Sequence, residues 1–249
     1  MKICIAQSKP IKGNISANIE AHKTFIKLAL TLNAEAIFFP ELSLTGYEPE
    51  LARELATNQN DHRLDIFQEI SDKNNIMIGL GLPIATDSQI QISMIIFEPN
   101  QPRQTYSKQQ LHSDEFPFFE KGVKQLIIKT KDKNIAPAIC YESLQPTHAE
   151  NAFKLDADVY LASVAKPAKG IKNAFNHYPN IAKQYAMPVL MANCVGFCDN
   201  FLSVGNSSVW TKAGELVGQL DDKTEGILFF DTETEVIVSR TLNSNKAQN

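Results

Sequence analysis

Three segments of this sequence carry a chemically useful side chain where an apolar run ends. In Ile135-Ala136-Pro137-Ala138-Ile139-Cys140-Tyr141-Glu142-Ser143 a thiol stands where a strand-like run gives way to a polar turn. In Ile37-Phe38-Phe39-Pro40-Glu41-Leu42-Ser43 a carboxylate follows a wholly apolar run, and in Tyr106-Ser107-Lys108-Gln109-Gln110-Leu111-His112 an ammonium does. Such positions favour catalysis in α/β proteins, because the strand fixes the backbone while its carboxyl end opens to a crevice. A carboxylate leaving a strand buried on both faces is partly desolvated, which raises its pKa and suits it to act as a general base. Each residue also has a plainer explanation: a small core cysteine, a capping glutamate, a solvated lysine. The aromatic cluster at Phe116, Phe118 and Phe119 is equally compatible with ordinary core.

Other chemistries lack their residues. There is no G-x-x-x-x-G-K-[ST] loop, no G-x-G-x-x-G, no G-x-S-x-G and no H-E-x-x-H, and Gly79-Leu80-Gly81 lies inside an apolar strand. Cys194 and Cys198 invite a zinc reading, but no further ligands stand at a recognisable spacing, so two buried thiols are expected. The formal net charge of -4 gives no footprint for nucleic acid. The basic stretch Lys121–Lys133 alternates with apolar residues and reads as a strand with a solvated face. Four cysteines are too few for a disulfide scaffold. The apolar run at the N-terminus is too short for a signal peptide, and the stretch from Gln184 to Thr211 is too rich in Pro, Asn and Gly to span a membrane. A soluble, cytoplasmic protein is expected.

The elements needed to position these residues can be read from periodicity. Strands are expected at Lys2–Gln7, 36–39, 76–82, 89–97, 104–107, 126–129, 135–139, 159–163, 189–193, 203–210, 226–231 and 235–240. Helices are expected over 16–33, 61–74, 147–155 and 173–187, the last starting late or kinking at Pro179. The segment from Gln184 to Thr211 reads as two buried strands and a loop. This order suggests two sheets covered by helices in one domain over residues 1–240, with a polar tail from Thr241 to Asn249.

The segments Phe39-Pro40-Glu41-Leu42-Ser43-Leu44-Thr45-Gly46-Tyr47, Tyr106–Leu111 and Ile139-Cys140-Tyr141-Glu142 together resemble, in order and spacing, the signature blocks of the nitrilase, or carbon–nitrogen hydrolase, superfamily. Glu115-Phe116-Pro117-Phe118-Phe119-Glu120-Lys121-Gly122 resembles the family's supporting-glutamate segment. Asp156–Leu161, Ala192–Gly196 and Gly205–Ser208 resemble its remaining strands, so the likeness covers nearly the whole chain. It implies an α/β fold, an α-β-β-α four-layer sandwich of two mixed sheets, usually paired into homodimers or larger assemblies. It also implies Glu41 as general base, Lys108 as electrostatic stabiliser, Cys140 as nucleophile and Glu115 as a supporting carboxylate, with no metal or organic cofactor. The chain departs from the family pattern at Val164-Ala165-Lys166-Pro167, where many relatives carry an aromatic residue.

The resemblance implies hydrolysis of a small linear non-peptide amide, or an N-carbamoyl compound, through a thioester on Cys140. Nitrile hydrolysis or acyl transfer by the same triad, and a non-catalytic scaffold that retains the fold, are the alternatives. Tyr141, Ser163, Lys166, Tyr47 and the Phe116–Phe119 cluster are candidate pocket walls; Lys166 could hold a substrate carboxylate or be a solvated loop lysine, the second rather more in keeping with the sequence.

Overall fold

The computed structural model describes residues 1–87 and 89–242. In chain order, Lys2–Gln7 forms β1, Ile15–Leu30 α1, Ala36–Phe38 β2, Ala52–Leu55 α2, Asp65–Asn74 α3, Met77–Ala85 β3, Ile90–Phe97 β4 and Gln104–Ser107 β5. Then follow Ile128–Lys129 (β6), Asn134–Ile139 (β7), Pro146–Lys154 (α4), Val159–Val164 (β8), Ala168–Tyr185 (α5) and Val189–Asn193 (β9). Val195–Cys198 (β10), Phe201–Val204 (β11), Ser208–Trp210 (β12), Leu216–Gln219 (β13), Gly226–Asp231 (β14) and Ile237–Thr241 (β15) complete the described elements. The predicted tail falls mostly on residues 243–249, outside the described residues, while Thr241 itself closes β15.

Two sheets form. A seven-stranded sheet has the order β15-β14-β1-β2-β3-β4-β5 and a six-stranded one the order β13-β12-β9-β8-β7-β6. The centre of each is parallel: β1, β2 and β3 in the first, β7, β8 and β9 in the second. These strands read as continuous apolar runs because both faces of each sheet are covered. Period-two alternation divides their side chains. Ile5, Phe38 and Met94 meet Ile135, Leu161 and Leu190 between the sheets. Ile37, Ile78 and Leu80 face outward under Phe25, Ile26 and Phe67 of α1 and α3. Ala136, Tyr160 and Ala162 face outward under Ala149, Ile171 and Tyr178 of α4 and α5. The layers are therefore α-β-β-α, as the sequence predicts.

Helix α1 starts where the Asn14 side chain accepts the Ala17 N–H at 3.0 Å, a cap for one of the unpaired first-turn donors. Helix α5 begins earlier than predicted, directly after Pro167, and runs through Pro179. A proline just ahead of a helix is pre-organised for its start, and this signal outweighs the weak apolar pattern of Ala168-Lys169-Gly170. Between Gln184 and Thr211 the chain makes an additional antiparallel hairpin, β10–β11, turning at Asp199-Asn200. The basic stretch from Lys121 is mostly irregular, with only Ile128–Lys129 in a strand.

One polar contact ties the layers together near the strand ends. Ser163, at the end of β8, donates its hydroxyl to the Phe39 carbonyl beyond β2 at 2.7 Å, with both residues buried. Ser163→Ala leaves that carbonyl buried without its partner, which should cost about 1–3 kcal/mol of unfolding free energy. Urea titration of both proteins checks this; an unchanged midpoint would show that the contact does not matter.

Candidate active site

The carboxyl ends of β2, β5 and β7 converge between the sheets. After β2 the chain stays against β3: Phe39 N–H donates to Gly79 O at 2.9 Å and Leu44 N–H to Gly81 O at 3.0 Å. Gly81 permits this path, since a Cβ there would collide with the Leu42 amide and the Pro40 carbonyl. Behind the turn, the His22 imidazole stacks on Phe39 and its Nε2 hydrogen-bonds Ser43 Oγ at 2.9 Å. Burial pushes the His22 pKa down to about 4, so it is a neutral prop under the Glu41 loop.

Lys108 extends β5 by one rung, its N–H donating to Ile92 O at 2.9 Å. The loop that follows folds back, and Gly122 N–H donates to Lys108 O at 2.7 Å. No other residue fits at 122, because a Cβ would strike the Ser107 carbonyl. Cys140 opens a 3-10 turn over Cys140–Leu144 with φ +47, a left-handed conformation that costs a non-glycine residue on the order of 1–3 kcal/mol. Ser143 Oγ holds this turn by donating to Cys140 O at 2.5 Å, and itself meets Tyr178 OH at 2.7 Å.

Glu142 joins the cysteine and lysine segments. Its Oε1 accepts from Ile139 N–H at 2.7 Å and Tyr106 OH at 2.6 Å, while its Oε2 accepts from Gln109 N–H at 2.7 Å and Gln110 N–H at 3.3 Å. One buried carboxyl thus brackets the end of β7 and the loop after Lys108. Burial lifts its pKa to about 7, with the Tyr106, Ile139 and Gln109 donors working against that rise.

At the centre, Lys108 Nζ lies 2.7 Å from Glu41 Oε1 and 2.5 Å from Glu115 Oε1, all three side chains being buried. Glu115 is anchored by Tyr47 OH at 3.0 Å and by His112 N–H at 2.7 Å. Burial disfavours the Lys108 ammonium, but the Glu41 and Glu115 charges more than offset it and raise its pKa, so it stays protonated. Burial also raises the Glu41 pKa; the Lys108 charge lowers it and the Glu115 charge raises it. Glu41 Oε2 is buried and has no hydrogen-bond partner among the described residues. Cys140 is near enough that it and Glu41 each shift the other's pKa. Burial, followed by the Glu41 charge, pushes the Cys140 thiol up to about 11, against the pull of Lys166 and Lys108. The resting arrangement is therefore a neutral thiol close to a buried carboxyl group, one oxygen of which has no hydrogen-bond partner among the described residues.

Cys140 opens into a cavity of about 690 Å³. Tyr47, Tyr141 and Lys166 line it as predicted, whereas Ser163 does not: its hydroxyl is spent on Phe39 O. Period-two alternation in β8 turns Ser163 to the same inner face as Leu161, which explains the correction. Nor do the Phe116–Phe119 rings line the cavity; Phe119 is core and Phe116 faces solvent. Lys166, expected in solvent, is only 3% exposed. Sequence reasoning passed over His22 as a support and Glu142 as a bracket, although Glu142 stands within the quoted Cys140 segment. Cys194 and Cys198 are buried neighbours with sulfurs 3.5 Å apart. Among the described residues no group of His, Cys, Asp or Glu side chains gathers as a metal site would.

Residues 2–239 match the family described as Carbon-nitrogen hydrolase. The chain belongs to that family. Curated relatives include the glutamine-dependent NAD(+) synthetase of Acinetobacter baylyi, 24% identical over 241 residues, covering 94% of this chain and 44% of that protein. The enzyme of the same name from Thermotoga maritima is 24% identical over 227 residues, covering 87% and 39%. The chain thus spans less than half the length of these relatives. Among solved structures, the NitN amidase from Nesterenkonia sp. AN1 superposes with a TM-score of 0.85 at 21% identity, covering 93% of this chain and 92% of that one. A mutant of that amidase in complex with butyramide gives a TM-score of 0.86 at 20% identity, covering 94% and 92%. Those likenesses show a shared nitrilase-type fold. No helix of the described residues is long and apolar enough to cross a membrane.

Glu115→Gln removes a like charge beside Glu41, so the Glu41 pKa falls. If Glu41 must be ionised to act, the acid limb of kcat/KM should move to lower pH. A pH–rate profile of both proteins checks this; a limb that stays put or moves upward would contradict it.

Proposed function

We propose that this carbon–nitrogen hydrolase cleaves a small linear non-peptide amide, or an N-carbamoyl compound, through a thioester on Cys140. The observation that carries this reading is the buried Glu41–Lys108 contact at 2.7 Å, with Glu41 close enough to the cavity-lining Cys140 thiol that each shifts the other's pKa. Amidases among the structural neighbours support it, and the butyramide complex of one of them fits an uncomplicated short amide. The curated relatives are named for glutamine dependence, so a side-chain amide such as that of glutamine belongs in the first set tested.

In this mechanism Glu41 takes the Cys140 proton as sulfur attacks the carbonyl carbon. The oxyanion forms against the Lys108 ammonium and the Tyr141 N–H in the turn after β7. A preorganised donor of this kind typically contributes about 2.7–4 kcal/mol of transition-state stabilisation. Glu41 then gives its proton to the departing amine, leaving the acyl group on sulfur. A water deprotonated by Glu41 hydrolyses the thioester, and the carboxylic acid leaves. A base and acid in one group requires a pKa near the working pH, and the burial of Glu41 moves it in that direction. Glu115 keeps Lys108 charged and aimed. The free cysteines, Cys4, Cys140, Cys194 and Cys198, fit a reducing compartment such as the cytoplasm.

An ammonia-release screen over short amides, ω-amides, carbamoyl amino acids and nitriles, with intact-mass detection of the acylated protein, tests this reading. Cys140→Ala should remain folded and lose turnover by at least about a thousandfold, with no acyl adduct. An acyl adduct on another cysteine, or turnover surviving in Cys140→Ala, would contradict the assignment.

A further inference from the structure

One buried cation in the cavity has no part in the mechanism above. Lys166 is 3% exposed, yet its Nζ meets only Cys140 O at 3.4 Å and Cys140 Sγ at 3.8 Å. No carboxylate among the described residues pairs with it. Its backbone is clamped: the N–H donates to Asn193 Oδ1 at 2.9 Å, and the carbonyl accepts from Ser203 Oγ at 3.1 Å and from Asn193 Nδ2 and Val204 N–H at 3.3 Å. The stem is therefore presented to the cavity by design of the surrounding strands, not left to wander.

The same wall carries a second unpaired group. His177 of α5 lines the cavity, and its Nε2 is buried with no partner among the described residues. Lys169 stands at the rim in the first turn of α5, a turn with no acidic residue. The carboxylates that also line the cavity are already engaged: Glu115 by Lys108 and Tyr47, and Asp114 by His112 Nδ1 at 2.5 Å. Burying an ammonium without a counter-charge is costly unless something supplies the charge.

We propose that Lys166, with His177 beside it, binds a carboxylate carried by the substrate, so that the preferred substrates are monoamides of short dicarboxylic acids. The proposal rests on the amidase reading and gives it a substrate class. The spacer must be short, because the ammonium lies 3.8 Å from the sulfur that attacks the amide. A single ammonium joined by a neutral imidazole matches a monoanion better than a phosphate, which calls for a larger cluster of donors.

The test compares succinamate and glutaramate with butyramide, a neutral amide of similar size. Wild type should favour the acidic amides in kcat/KM by about tenfold or more, and Lys166→Met should lower kcat/KM for them by that same factor, mainly through KM, bringing the preference close to one. Absence of a preference in wild type, or an equal loss on charged and neutral amides in Lys166→Met, would overturn the proposal; the latter would mean that Lys166 acts on the sulfur alone. Calorimetry with the Cys140→Ala protein separates the two readings. Succinamate should bind it and fail to bind after the further change Lys166→Met, and no binding to Cys140→Ala would overturn the subsite. Failure of butyramide and the acidic amides alike to turn over, with succinamate binding intact, would sink the amidase reading and leave the subsite standing.

Discussion

The Lys108 ammonium, buried between Glu41 and Glu115, is the contact on which the rest of the site depends. An ammonium out of water is tolerable only where anions surround it, and here two carboxylates do so. Around Lys108 the local charge is accordingly negative. The neighbouring thiol is not drawn into ionisation; burial and Glu41 hold it in its protonated form. In the proposed mechanism a thiol kept neutral requires a base at the moment of attack, and among the described residues Glu41 Oε2 is an unpartnered acceptor in the same network. This differs from cysteine sites in which a cation alone preforms the thiolate.

The fold turns this requirement into geometry. Two parallel-centred sheets packed face to face bring the ends of β2 and β5 in one sheet opposite the end of β7 in the other. The side chains are then held from behind by neutral or bracketing groups. His22 supports the Glu41 turn, Ser163 ties Phe39 to β8, and Glu142 joins the Cys140 and Lys108 segments through backbone N–H groups. The left-handed Cys140 is affordable because Ser143 and Tyr178 fix its turn. Strain and desolvation are thus concentrated at the reacting centre, and the surrounding hydrogen bonds keep that centre from relaxing.

Much of this was legible in the sequence, for identifiable reasons. The layers follow from apolar runs of strand length alternating with helical patterns, and Glu41, Lys108 and Cys140 stand out because each ends such a run. Tyr47 and Tyr141 line the cavity. Glu142 and His22 were not picked out because what they grip is backbone and hydroxyl from segments remote in sequence. The burial of Lys166 was hidden for a related reason: Asn193 and Ser203, which clamp its backbone, belong to a later strand and a hairpin that the apolar pattern merged into its neighbours. Ser163 shows the opposite case. The alternation along β8 already turns it toward the inter-sheet core.

The claim that the thiol rests neutral, with Glu41 rather than a preformed ion pair driving its attack, is tested most directly by titrating Cys140. The difference in ultraviolet thiolate absorbance between wild type and Cys140→Ala, followed against pH, reports that group alone. The account predicts a midpoint well above the ordinary thiol value, toward about 11, and a lower midpoint in Glu41→Gln, where the repelling charge is gone. A thiolate already formed at neutral pH in the wild type, or a midpoint that rises in Glu41→Gln, would contradict it.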